Sequence, residues 1–131
     1  MRLRRVALAA ALLASFAGSA LADRPTRHVE EALGVWRGVG TASYYGPGFH
    51  GRRTASGTVY DQMAPTAAHR YWPFGTRVRV RNPRNQRSEV VTITDRGPFI
   101  RGRVIDLSLG TARRLGLEQM GVALVILEVL G

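Results

Sequence analysis

The sequence predicts a mainly-β domain, a small barrel carrying one or two short helices, and three observations lead there. Short alternating or β-branched runs are separated by Gly, Pro and Asn, only one stretch of the second half has a clear helical period, and the last nine residues before the final glycine are almost wholly apolar. The chain has 131 residues, enough for one domain. No cysteine is present, which excludes a disulfide framework, a thiolate nucleophile and a cysteine-based zinc site. All 19 basic residues are arginine, against nine acids, for a net charge of +10.

Taken in order, the first element is an export signal. Arg2, Arg4 and Arg5 precede an apolar run from Val6 to Ala17 broken only by Ser15, and small residues then lead to Ala20-Leu21-Ala22. A charged start, an apolar stretch too short to span a bilayer and an A-x-A site predict a cleavable signal helix over residues 1–22. Its removal takes away three arginines and leaves a net charge of +7. An exported chain does not meet nucleic acid, so the basic excess points to anionic envelope polymers. Residues 23–37 form a polar, poorly ordered lead-in, and the domain proper occupies 38–131.

Within the domain, WRGVGTASYYG (36–46) alternates and runs into a Gly-Pro-Gly turn, a strand followed by a glycine-rich loop. TRVRVRN (76–82) alternates strictly, with Val78 and Val80 on one face and three arginines on the other. The turn at Asn82-Pro83-Arg84-Asn85 joins it to SEVVTITD (88–95), whose Val91 and Ile93 face inward, so the two strands form a hairpin. GRVIDLSLGTARRLGL gives a strand end and a short helix, with Ser108 as N-cap, Leu109, Ala112 and Leu115 on one face and Gly116 closing it. VALVILEVL (122–130) predicts a strand buried on both faces or lying centrally in a closed barrel.

Nine acids and three histidines supply the candidate chemistry. Asp95 ends an apolar strand at Asp95-Arg96-Gly97-Pro98-Phe99, where it either points into a cleft or caps the turn through backbone N–H groups. Asp106 sits among apolar neighbours before the helix. Burial there raises a carboxyl pKa toward that of a proton donor, and the helix dipole opposes the shift. Asp61 and His69 lie close to Tyr60, Tyr71 and Trp72, a composition suited to sugars, whose C–H faces stack on rings. His50, in the FHGRR loop, reads as a backbone-positioning residue. Arg52, Arg53, Arg96, Arg101 and Arg103 are candidates to line a groove for an anionic or polyhydroxyl ligand.

Seven blocks occur in an order and spacing that resembles the RlpA-like (rare lipoprotein A) family. They are Gly40-Thr41-Ala42-Ser43-Tyr44-Tyr45-Gly46, Phe49-His50-Gly51-Arg52, Thr54-Ala55-Ser56-Gly57, Tyr60-Asp61, Thr66-Ala67-Ala68-His69, Asp95-Arg96-Gly97-Pro98-Phe99 and Ile105-Asp106-Leu107-Ser108. The resemblance implies a six-stranded double-psi β-barrel related to expansins. It also implies an endolytic lytic transglycosylase that cleaves MurNAc-β-1,4-GlcNAc bonds of peptide-poor glycan strands and leaves 1,6-anhydromuramyl ends. Carried over position by position, Asp106 and Asp95 are the catalytic acids, and Asp61, His69, Tyr45, Tyr60, His50 and Arg96 form the substrate-binding set. No metal or cofactor is implied. The expected partner is peptidoglycan glycan, with no nucleic acid and no membrane insertion after signal cleavage. The expected protein is a monomer, periplasmic or secreted, and without cysteine it carries no lipid anchor. Thr58 stands where the family usually has Glu, which leaves open a non-catalytic, expansin-like wall-binding module; hydrolysis by an inverting route is a third reading.

Overall fold

The computed structural model describes residues 36–131. The expected signal helix at 1–22 and the lead-in as far as residue 35 lie outside the described residues. From Arg37 onward the chain forms a closed six-stranded barrel of mixed parallel and antiparallel pairs. The strands are β1 (Arg37–Tyr44), β2 (Thr66–Ala68), β3 (Arg77–Arg81), β4 (Ser88–Asp95), β5 (Ile105–Leu107) and β6 (Ala123–Val129). Around the ring they run β1-β5-β2-β4-β3-β6. Closure pairs every strand on both sides and so removes the exposed edges that an open sheet would leave.

Alternation explains the core. Val78 and Val80 of β3, Val91 and Ile93 of β4, Ile105 and Leu107 of β5, and Val125 and Leu127 of β6 are all at most 1% exposed and meet inside the ring. The β3–β4 hairpin pairs Val78 with Val91 across the strands, as its alternation predicts. Its turn is held by Asn82, whose Oδ1 accepts from the Arg84 N–H (3.0 Å) while its Nδ2 donates to the Leu115 carbonyl (2.9 Å).

β6 closes the barrel between β3 and β1, the second of the two arrangements its sequence allows. It is not buried on both faces: Ala123, Val125, Leu127 and Val129 are buried, whereas Leu124 is 57% exposed and Ile126 and Glu128 are half-buried. An apolar run therefore covers both a one-sided strand and an aliphatic outer surface, which periodicity cannot separate.

A short helix, α1 (Leu109–Arg114), and a 3₁₀ turn at Glu118–Met120 follow β5. Ser108 caps α1, its Oγ accepting from the Thr111 N–H at 3.2 Å and donating to the Ala64 carbonyl at 2.6 Å. Gly116, at φ 73°, lies just past the C-cap Leu115, a conformation that glycine adopts without strain. Gly110 is required for a different reason. A Cβ placed there would lie 2.7 Å from the Met63 Cα, so the helix packs directly on the backbone of the 61–64 loop, and the Gly110 N–H donates to the Gln62 carbonyl (2.7 Å).

Candidate active site

Three strands deliver the site. β5 places Ile105 and Leu107 in the core, so Asp106 between them projects outward. The parallel register with β1 sets Asp106 opposite Ser43, and the antiparallel register with β2 sets it opposite Ala68. On the far side of β2, Ala67 pairs with Ile93 but Ala68 pairs with Asp95, so Thr94 is an extra residue in β4. That bulge matters. Without it Asp95 would share the inward face of Ile93; with it, Asp95 comes to the side of Ala68 and Asp106. The two acids thus flank β2 on the outer wall, two strand spacings apart, or roughly 10 Å between their Cα atoms.

They open into one cleft of about 290 Å³, lined by Ser43, Tyr45, Asp95, Arg96, Arg103 and Asp106 and rimmed by Phe49 and Phe99. Phe99 is 77% exposed and Phe49 42%. Their rings give a polyhydroxyl ligand apolar faces beside the acids.

The two carboxyls are held differently. Asp95 uses both oxygens as acceptors: Oδ2 from the Tyr45 hydroxyl at 2.5 Å, Oδ1 from the Ala55 N–H at 2.8 Å and the Arg96 N–H at 2.9 Å. Three donors on two oxygens fix the orientation of the Asp95 carboxyl group. Asp106 receives one side-chain bond, from the Ser43 hydroxyl to Oδ1 at 3.1 Å. Burial pushes its pKa above the ordinary aspartate value; the Ser43 bond and the Arg103 charge pull it down, and the Asp95 charge pushes it up again.

Behind the cleft, Tyr45 stacks on Tyr60 with ring centroids 4.5 Å apart and meets Phe49 edge-on at 5.5 Å. Burial, then the hydrogen bond to Asp95, raises the Tyr45 pKa, so its hydroxyl stays a donor. The Tyr60 hydroxyl accepts from the Leu109 N–H at 3.2 Å, which ties this stack to the start of α1. Gly110, Tyr60, Tyr45 and Asp95 form a continuous support from helix to carboxylate.

The structure brings together only part of the expected set. Asp106, Asp95, Tyr45 and Arg96 line the cleft. Tyr60 is 4% exposed and lies behind Tyr45. His69 is 6% exposed; its ring stacks on Trp72 at 3.7 Å, and its Nδ1 accepts from the N–H groups of Tyr71 and Trp72, each at 3.0 Å. His69 reaches Asp95 through the main chain, its N–H donating to the Asp95 carbonyl (3.1 Å). Asp61 accepts from the Met63 N–H (2.9 Å) and the His50 Nδ1 from the Gln62 N–H (3.1 Å); both residues are exposed, order the 61–63 loop and do not line the cleft. The Arg96 guanidinium covers the Phe74 ring at 3.9 Å and donates to the Trp72 carbonyl at 2.8 Å, clamping the 69–74 loop. The Thr58 hydroxyl is engaged with Thr54 Oγ1 (2.9 Å) and Ser56 Oγ (3.0 Å). Ser43, Phe49 and Phe99 join the site without having been singled out from the sequence; the inward side chain of Ala42 was the available sign that Ser43 faces the other way. Among the described residues, no group of three or more His, Asp or Glu stands close enough to hold a metal ion.

Comparison with known proteins follows the same region. The family model described as "Lytic transglycolase" matches residues 37–127. The chain is 62% identical over 90 residues to a Synechocystis protein named "Probable endolytic peptidoglycan transglycosylase RlpA", covering 69% of this chain and 28% of that protein. A Nostoc protein of the same name is 64% identical over 94 residues, covering 70% and 25%. "Endolytic peptidoglycan transglycosylase RlpA" of Campylobacter jejuni is 49% identical over 92 residues, covering 70% and 34%. The chain spans about a quarter to a third of the length of these curated relatives. Among solved structures, a Streptomyces papain inhibitor superposes with TM-score 0.59 at 21% identity, covering 73% of this chain and 96% of its own. The Clavibacter michiganensis expansin superposes with TM-score 0.57 at 18% identity, covering 73% and 51%. These two likenesses concern the fold alone.

Proposed function

Because the chain belongs to the lytic transglycolase family, as an RlpA-like double-psi β-barrel, we propose that it is an endolytic peptidoglycan transglycosylase acting outside the cytoplasm on peptide-poor glycan strands. The observation that carries the reading is the unequal treatment of two acids on one cleft: Asp95 accepts three donors, Asp106 one. Asp106, half-buried and with its pKa raised chiefly by burial, is the proton donor to the glycosidic oxygen between MurNAc and GlcNAc. As the C1–O bond breaks, that oxygen keeps the Asp106 proton. The Asp106 carboxylate then takes the proton of the muramic C6 hydroxyl while its oxygen closes on C1, which gives a 1,6-anhydro end and consumes no water. Asp95, fixed by Tyr45 and two backbone N–H groups, stabilises the positive charge that develops at C1. Phe49 and Phe99 hold sugar faces at the rim, and Arg103 lines the same cleft with its charge acting on Asp106.

Peptide-free glycan strands incubated with the protein and read by mass spectrometry should show 1,6-anhydromuramyl ends. Asp106→Asn should reduce them by about 10²–10⁴-fold. Ends with a free muramic C6 hydroxyl and a reducing C1 would instead mark hydrolysis. Undiminished anhydro product from Asp106→Asn would remove Asp106 from the mechanism.

A second reading, a non-catalytic wall-binding module, draws on Thr58, whose hydroxyl is spent on Thr54 and Ser56 where the resemblance implies a carboxylate. Sedimentation with purified cell wall and no released fragment would select it.

A further inference from the structure

The wall opposite the cleft carries a surface that the chemistry above does not use. In the ring order, β6 stands diametrically across from β2, the strand between the two acids. The outer face of β6 and its neighbours β1 and β3 shows rows set by register. Arg37, Glu128 and Arg79 lie side by side, and next to them Val39, Ile126 and Arg81. Arg77 extends the arginine column of β3. Both Arg37 and Arg79 bridge to Glu128, the latter at 2.8 Å. Arg77 and Arg81 make no side-chain hydrogen bond or ion pair among the described residues. A groove of about 300 Å³ lies between Arg37, Arg79, Arg81, Ile126 and Glu128. Val39 is 61% exposed and Leu124 57%.

We propose that this β1-β6-β3 wall docks on the surface of an anionic phospholipid bilayer. Charge complementarity selects the occupant: among the described residues of this wall, four arginines stand against one carboxylate, which is already paired. Guanidinium forks match lipid phosphates, and branched aliphatic side chains between them suit the headgroup boundary. A glycan is a poorer match, because the described residues of this wall's outer face include no aromatic ring, whereas the cleft presents Tyr45, Phe49 and Phe99. Docking by β6 turns the acids away from the bilayer toward whatever polymer lies above it. The orienting consequence rests on the proposed cleft function; the docking itself does not, and is measured without turnover.

The full chain is sedimented with vesicles of phosphatidylglycerol and phosphatidylcholine, or of phosphatidylcholine alone, in about 0.1 M salt, and compared with Arg77→Gln/Arg81→Gln and with Leu124→Asp. The apolar residues of 1–22 are common to all three proteins, so differences report the wall. Wild type should bind the anionic vesicles more tightly and release with added salt. At about fivefold per arginine, the double variant should bind about 25-fold more weakly. Leu124→Asp should weaken binding further than salt alone does, and all three should keep the same melting profile and the same yield of glycan product. Equal binding of wild type and the double variant to anionic vesicles overturns the proposal. So does a double variant that keeps its vesicle binding while losing sedimentation with purified cell wall, which would assign the wall to a polymer.

Discussion

Acidification from pH 7 to pH 4 should cost the barrel about 3 kcal/mol through His69 alone. Its pKa is lowered from 6.5 to about 4, first by burial and then by the charges of Arg70 and Arg96. The geometry agrees, because the Nδ1 lone pair accepts from the N–H groups of Tyr71 and Trp72, and a proton there would face two donors. Between these two pKa values the unfolded chain binds a proton that the folded chain refuses. The stabilisation is therefore complete above pH 6.5 and is lost as pH falls through 4. The full gap from 6.5 to about 4, at about 1.4 kcal/mol per pH unit, is about 3.5 kcal/mol, of which about 3 is lost by pH 4, where the folded imidazole is half protonated. Urea unfolding from pH 3.5 to 7.5 for wild type and His69→Phe isolates the contribution as the difference of the two curves, since other carboxyls titrate equally in both. The variant should be less stable at pH 7, having left two backbone donors without an acceptor, and the gap should narrow as pH falls. Parallel curves, or an NMR titration placing His69 at pH 6 or above, would refute the reasoning.

Other outcomes follow from the site. Tyr45→Phe keeps the stack on Tyr60 and removes one donor to Asp95, so turnover should fall about 10-fold or more with KM little changed, as steady-state rates on glycan strands would show. Gly110→Ala forces a Cβ against the Met63 backbone and should destabilise by roughly 1–3 kcal/mol in urea unfolding, with activity following because Tyr60 is bonded at the same turn. The rate should decline as pH rises through the Asp106 pKa, so the alkaline limb of the pH profile sits above the ordinary carboxylate range, and Ser43→Ala, which removes a bond that lowers that pKa, moves the limb higher. Asp106→Asn should raise the melting temperature at neutral pH. A raised carboxyl pKa means stability that is present below the unfolded value and lost as pH rises through the folded one, and the amide carries no such loss.

The strands that speak through local pattern were legible. Val78 and Val80 against three arginines, and Val91 and Ile93 after an Asn-Pro turn, define the β3–β4 hairpin with no outside information, and Ser108 with Gly116 brackets α1. β2 was not legible, because Thr66-Ala67-Ala68 has neither β-branched enrichment nor measurable alternation over three residues. Its strand character comes from lying between β4 and β5. His69 reads as a ligand-type residue in sequence because Tyr71 and Trp72 follow it. Those same neighbours turn their N–H groups onto its ring and make it an acceptor in the barrel wall. Composition named the right neighbours and said nothing of direction.

Direction is also what decides the pair of acids. In an unbulged β4, alternation from Val91 and Ile93 would turn Asp95 to the same inward face as those two core residues. The extra residue at Thr94 rotates it to the outer wall, where β2 holds its register against Asp106 and the loop at Ala55 supplies an N–H. Asp106 needs no such device, since Ile105 and Leu107 are both inward and leave it outward. One acid is therefore placed by local alternation and the other by a single irregularity in pairing between strands distant in sequence. The consequence reaches chemistry: the acid positioned by the bulge arrives beside three donors, and the acid positioned by alternation stays half-buried with one. A proton donor and a fixed carboxylate differ here through backbone register, although both are aspartates ending or interrupting an apolar strand.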